Sequence, residues 1–204
     1  MGGDFLDYFE LPNGCLGLYV GDVVGKGLAA AMYAALAQGT LRGIHKNDQR
    51  PVDVLELFNR RLRVRAVPRR YCAAQYAVFD PATLELRFSN AGLPLPLHYS
   101  LSDCSAVGAG GLPSGLLDGV RYDEHCAQLA PGDVVLFATD GLHEMNNAEG
   151  EFYGASRVMQ LRRGRGPVSA EEVLDGLFAD MSEFAAGRPH LDDVTAVALL
   201  VPPR

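Results

Sequence analysis

Four aspartates in this chain share an unusual setting: each stands at the start or end of an apolar, strand-like run, beside glycine or a second acid. They are Asp4 after Gly2-Gly3, Asp22 in Gly21-Asp22-Val23-Val24-Gly25-Lys26-Gly27, Asp140 in Thr139-Asp140-Gly141, and Asp192 in Asp192-Asp193-Val194-Thr195. A carboxylate at a strand terminus needs water, hydrogen bonds or a cation, because burying it unpaired is costly. Any one Asp-Gly taken alone signals only a turn. Four such carboxylates brought together would demand a cation, and hard oxygen ligands suit magnesium or manganese. The neighbouring glycines let backbone approach a metal or a phosphate closely. No Cys-x5-Arg loop and no Gly-x-Ser-x-Gly elbow accompanies them, so water is the expected attacking group in a hydrolysis.

The remaining reactive residue types are less organised. Cys15, Cys72, Cys104 and Cys126 are widely spaced, lack a zinc-ligand pattern, and are expected to pack as reduced, apolar side chains. His45, His98, His125, His143 and His190 have no partner at metal-pair spacing and read as packing or surface residues; only His143 and His190 stand near candidate aspartates, as proton donors or ligand supports. Arg60, Arg61, Arg63, Arg65, Arg69 and Arg70 make a basic cluster in an acidic chain. It reads first as a solvated helix face and second as a surface that touches a phosphoprotein or a regulatory domain. Arg162, Arg163 and Arg165 read as a solvated loop.

Positioning these residues requires both strands and helices. The spacing predicts a hairpin from Asp4–Phe9 and Cys15–Val20 around Pro12-Asn13-Gly14, then a loop over Gly21–Gly27. Leu28–Ala37, apolar on every face, predicts a buried helix with Met32 in the core. Val54, Leu55, Phe58 and Leu62 predict an amphipathic helix starting at Pro51. Strands are predicted over Tyr71–Phe79, Leu84–Ser89, Leu95–Tyr99, Val120–Leu129, Val134–Thr139 and Val194–Val201, with short turns that favour antiparallel pairing. Ser169 and Glu172 form a capping box ahead of a helix carrying Val173, Leu177, Phe178, Met181 and Phe184.

This is an α+β pattern, and 204 residues with 48% hydrophobic composition are enough for one core, so a single domain over 1–204 is expected. The net charge of −7 disfavours nucleic acid and anionic membranes as general partners. No apolar run approaches the roughly 20 residues of a membrane span, and a cytoplasmic location is expected. Met1-Gly2-Gly3-Asp4 enters a patterned segment at once, as though the chain were cut from a longer regulatory protein.

Seven blocks occur in one order: Gly2-Gly3-Asp4-Phe5 with Asp7; Gly21–Gly27 running into Leu28-Ala29-Ala30-Ala31; Asn90-Ala91-Gly92; Gly111–Leu116; Leu129–Gly141; Asn147–Gly154; and Asp192–Thr195. In these blocks the chain resembles the PPM family of metal-dependent Ser/Thr protein phosphatases, in its bacterial SpoIIE-like and RsbU-like branch. The resemblance implies an α-β-β-α sandwich of two stacked antiparallel sheets flanked by helix pairs, lacking the family's first helix and strand. It implies two divalent ions, manganese or magnesium, held by Asp4, Asp22, Asp140 and Asp192, with Asp22 bridging, Val23 lending a carbonyl and Asp193 as the alternative to Asp192. Asp22 and Asp140 are then the catalytic pair, through a water lying between the two metals.

The implied substrate is a phosphoserine or phosphothreonine on a STAS-type anti-sigma-factor antagonist, which ties the chain to sigma-factor regulation and stress response. An upstream sensor domain is an implied partner, and an unpaired sheet edge leaves a homodimer open. The alternatives are a catalytically silent binding module that needs its upstream domain, and a hydrolase of a small phosphorylated metabolite. Two positions depart from the family pattern: Lys26 stands where relatives commonly have His, and Leu93-Pro94 replaces a His-Asn.

Overall fold

Two antiparallel hairpins with two helices between them make up the first part of the chain. The structure is a computed structural model that describes residues 2–45, 49–64, 66–100, 103–161, 169–190 and 192–203. The chain divides into two compact units, Met1–Leu95 with Gly108–Gln128, and Pro96–Val107 with Leu129–Arg204.

In the first unit β1 (Phe5–Glu10), β2 (Leu16–Val23), β3 (Cys72–Asp80), β4 (Glu85–Ala91) and a further strand (Glu124–Gln128) pair in that order, all antiparallel. The register sets Phe5 opposite Gly21 and Val23 opposite Cys72, which carries the Asp22 segment to the end of the sheet. Helices α1 (Leu28–Ile44) and α2 (Pro51–Val64) pack with this sheet over one cluster containing Tyr19, Tyr33, Leu41, Leu55, Phe58 and Tyr76. Pro51 is the first residue of α2, as its fixed φ and missing N–H favour. The Asn90-Ala91-Gly92 turn is held by the Asn90 amide, which donates to the Leu93 carbonyl and accepts from the Leu93 N–H. The Leu93 backbone makes both bonds, so the turn does not depend on the side chain at that position.

In the second unit β5 (Leu97–Tyr99), β6 (Cys104–Ala106), β8 (Val134–Ala138) and β9 (Ala196–Leu200) form a sheet of order β6-β5-β8-β9, the strand Glu124–Gln128 of the first unit being β7. Its helices are α3 (Asp140–Glu144), α4 (Gly154–Gln160) and α5 (Ala170–Ala185). Leu136, Leu142, Tyr153, Val158, Leu177 and Met181 form its core. The capping box is present in full: Ser169 Oγ accepts from the Glu172 N–H at 3.1 Å, and Glu172 Oε2 accepts from the Ser169 N–H at 3.0 Å. Ser169→Ala is expected to lower stability by about 1 kcal/mol in denaturant melts, because it orphans an N-terminal donor of α5.

Tyr153 Oη and Arg157 Nε both donate to Asp180 Oδ2, at 2.7 and 2.8 Å. The Arg157 guanidinium is the main cause that holds the Asp180 carboxyl below its ordinary range. A carboxylate depressed on folding adds stability that is present above the unfolded value and lost as pH falls through the folded one. The urea midpoint difference between the parent and Asp180→Asn is therefore expected to be greatest near neutrality and to shrink below about pH 4.

Several sequence expectations change. Two antiparallel sheets with helices are present, but the short β6 is additional, and the last third carries three helices, α3, α4 and α5, where the pattern predicts two. Met32 is 66% exposed, not core, and Leu28 and Leu36 are 67% and 52% exposed. The buried face of α1 is instead Ala30, Tyr33, Ala34, Ala37, Leu41 and Ile44, since a helix apolar all round carries no signal of which face turns inward. Asp22 lies within β2, not in a loop, because β2 stays paired with β3 to Val23. Cys15 and Cys72 are buried as expected, whereas Cys126 is exposed on the edge strand β7. Arg65, Arg162, Arg163 and Arg165 lie outside the described residues.

Candidate metal centre

In the first unit the end of β2 and the residues before β1 bring Asp4 and Asp22 to one place. The Val23 N–H donates to the Gly3 carbonyl at 3.2 Å, so the two segments run side by side. A Cβ on Gly3 would lie 2.5 Å from the Val23 carbonyl oxygen and 2.8 Å from Asp22 Oδ1. Glycine therefore leaves open a cradle edged by two oxygens, one carboxylate and one carbonyl. Cys72, opposite Val23, reports the same grouping: complete burial, then the charges of Asp22 and Asp4, push its thiol well above the ordinary range. Asp7 points elsewhere, accepting from Tyr19 Oη at 3.2 Å and from Arg42 Nε at 2.6 Å.

The second unit holds the other aspartates. Asp140 is the first residue of α3, directly after Thr139, the extended N-cap residue. Thr139 is buried and ties the Asp140 turn to the segment before β9. Its N–H donates to the Thr195 carbonyl at 3.0 Å, and its Oγ1 accepts from the Thr195 N–H at 3.0 Å. Gly141 is pressed against that segment: a Cβ there would sit 1.9 Å from the Asp193 carbonyl oxygen. The Asp193 N–H donates to Asp192 Oδ1 at 3.0 Å, so the two acids form a local turn beside Asp140. Thr139 and Thr195 are positioning residues that the sequence motifs contain without showing their role.

Among the described residues no three His, Cys, Asp or Glu side chains are gathered as a metal-sized group. The carboxylates come as Asp4 with Asp22 in one unit and Asp140 with Asp192-Asp193 in the other. All the donors are oxygen, the set that magnesium and manganese prefer over zinc or copper. The residues fit a hard divalent ion.

His143 is half-buried, and desolvation pushes its imidazole below the ordinary value while the charge of Asp140 pulls the other way. His190 is exposed. The other histidines are packing residues, as expected. His45 stacks on Phe9 at 4.2 Å between centroids, His98 Nε2 lies 2.8 Å from Asp133, and His125 rests on Phe88.

A second constellation, also in the first unit, joins Arg63 of the basic cluster with Asn59, which the sequence did not single out. Asn59, buried on α2, accepts from the Gly115 N–H at 2.7 Å and donates to the Leu117 carbonyl at 3.1 Å. One turn on, Arg63 holds Asp118 with Nε and Nη2 at 2.8 and 2.7 Å. Helix α2 thus grips the 114–118 loop, whose Ser114 bridges to Cys72. The spacing of Asn59 and Arg63 on one helix face was the available signal.

The family described as Stage II sporulation protein E (SpoIIE) matches residues 12–202. Phosphoserine phosphatase RsbU of Bacillus subtilis (strain 168) is 22% identical over 201 residues, covering 98% of this chain and 59% of that protein. The chain thus spans about three fifths of that relative's length. The SiaA-PP2C domain of Pseudomonas aeruginosa is similar in structure, with a TM-score of 0.86 and 21% identity over 98% of this chain and 80% of that one. The RsbU and RsbW domains of a Mycobacterium tuberculosis protein align with a TM-score of 0.80 and 27% identity, over 100% of this chain and 57% of theirs. The carboxylate pairs, the two antiparallel sheets and a match over nearly the whole sequence lead to one conclusion: this chain belongs to the SpoIIE family.

Proposed function

We propose that this chain is a metal-dependent protein serine/threonine phosphatase. The residues proposed to hold divalent ions, manganese or magnesium, are Asp4, Asp22 and the Val23 carbonyl in the first unit and Asp140 with Asp192 or Asp193 in the second. The observation that carries this reading is the repeated construction at Gly3 and Gly141, where a missing Cβ lets an aspartate-bearing segment lie directly against a second one. Kinship with a named phosphoserine phosphatase supports the reaction class.

When bound, two such ions supply an activated water and offset charge on the phosphoryl group in an in-line displacement. The chain's own residues do the rest. Asp22, fixed by pairing of β2 with β3, and Asp140, fixed by Thr139 and Gly141, orient the carboxylates. Burial holds Cys72 as a neutral thiol and pushes Cys104 up to about 11, so neither is a thiolate nucleophile at neutral pH. Phosphoryl transfer directly to water fits this better than a cysteinyl intermediate.

By analogy with the sigma-factor regulators of its family, the substrate is a phosphorylated STAS-type antagonist, and a sensor domain upstream is its regulator. Para-nitrophenyl phosphate hydrolysis with and without manganese tests the reaction class. Turnover that requires the metal is expected. A chain that binds manganese by calorimetry yet turns over nothing would instead be the silent regulatory module.

A further inference from the structure

The first unit contains a cleft of about 480 Å³ that the proposed chemistry does not use. It lies between the end of α2, the loop that follows, and Gly115-Leu116, with Val24 on its floor, two residues beyond Asp22. Its volume is in the range of clefts that hold organic ligands. Arg63, Arg69 and Arg70 line it, in a chain whose net charge is −7. Val67 and Leu116, both exposed large apolar residues, complete its walls.

The three arginines have different commitments. Arg63 is occupied by Asp118, as described above. Arg70 Nη1 donates to the Val24 carbonyl and lies over Gly25, where a Cβ would stand 2.4 Å from it. This bond ties the arginine loop to the strand end that carries Asp22. Arg69 is exposed and, among the described residues, has no ion-pair partner. Its backbone closes the loop that walls the cleft. The Arg70 N–H donates to the Val67 carbonyl at 3.1 Å, closing a turn with Pro68 second and Arg69 third. Arg69 there has φ 60°, the left-handed value for which such turns normally use glycine or asparagine. Leu84 and Ala186 share this left-handed value, so it fixes the shape of the loop without by itself giving Arg69 a role.

We infer that this cleft is a docking site for an acidic polypeptide segment next to the phosphoserine of the substrate, with Arg69 as its principal anion contact. Arg69 takes the acidic side chains, and Val67 and Leu116 take the apolar residues between them. The cleft's place beside the Asp22 strand end gives such a segment a reason to lie close to the reacting phosphate. The inference rests on the phosphatase reading, and its test is separable from turnover.

Fluorescence anisotropy with fluorescein-labelled phosphoserine peptides, in EDTA so that no metal contributes, reads the cleft directly. A peptide flanked by Asp and Glu is expected to bind about tenfold tighter than one flanked by Ser and Gly, the scale of one charge-assisted contact. Added salt should weaken that preference. Arg69→Glu should abolish the preference. Arg60→Glu, which makes the same charge change on an α2 residue outside the cleft lining, should keep it. Arg69→Gly relieves the backbone strain, so it should melt higher than the parent and still lose the preference. Equal binding of the two peptides, equal losses in Arg60→Glu and Arg69→Glu, or a preference that survives in Arg69→Gly would each overturn the proposal. Preference for the acidic peptide in a chain without phosphatase turnover would sustain the cleft and sink the enzymatic reading instead.

Discussion

Asp22→Asn is expected to reduce manganese-dependent turnover of para-nitrophenyl phosphate by on the order of a thousandfold or more, while the protein stays folded. The change is isosteric, and Asp22 sits in a strand whose backbone is held by pairing with Ala73 across the ladder. Only one negative charge and one strong oxygen donor are lost. Divalent affinity in oxygen sites follows the count of carboxylate charges, so calorimetric manganese affinity should fall in parallel. Manganese should raise the melting temperature of the parent more than that of the variant, since a ligand stabilises only in proportion to its binding. If Asp22→Asn kept more than about a tenth of parental turnover, loss of a metal-bridging ligand could not be what was measured.

Gly141→Ala should damage stability and activity together. The added methyl would meet the Asp193 carbonyl oxygen at 1.9 Å, and that neighbour is backbone that cannot rotate away. The two segments must part, which breaks the reciprocal bonds between Thr139 and Thr195. The expected cost is about 3 kcal/mol, the upper end of ordinary overpacking. For a chain of this length that corresponds to a fall of roughly 6–12 °C in melting temperature. Turnover should drop as well, because Asp140 and the Asp192-Asp193 turn would lose their shared support. Gly110→Ala, at a glycine with open space around it and no left-handed φ, is the control, expected to melt with the parent. Should Gly141→Ala melt with the parent, the contact between these segments would be looser than described.

The two variants probe different links of the same chain of causes. Asp22→Asn removes chemistry and spares packing; Gly141→Ala removes packing and disturbs chemistry through it.

Much of this protein was legible in one dimension because its signals are local. Pro51 opens α2, Ser169 and Glu172 cap α5, and the alternation of apolar residues marks the strands, since each depends on neighbours within a few residues. The aspartates were readable only as a set of four in similar settings, because a single Asp-Gly signals no more than a turn. Other features depended on distant contacts. Which face of α1 is buried could not be read from a helix apolar all round, so Met32 was misplaced; the choice was made by Tyr33 and Leu41 joining the cluster with Tyr19 and Phe58. Thr139 bonds Thr195, 56 positions away, and Asn59 grips Gly115 across the same separation. Arg69 gained its meaning only when the loop after α2 closed a cleft against Val24 and Leu116. Local sequence determines which backbone conformations are accessible, and it did so here for helices, turns and strand ends. Partners brought together by loop closure are set by the packing of whole elements, an interaction between residues whose separation in sequence carries no period to read.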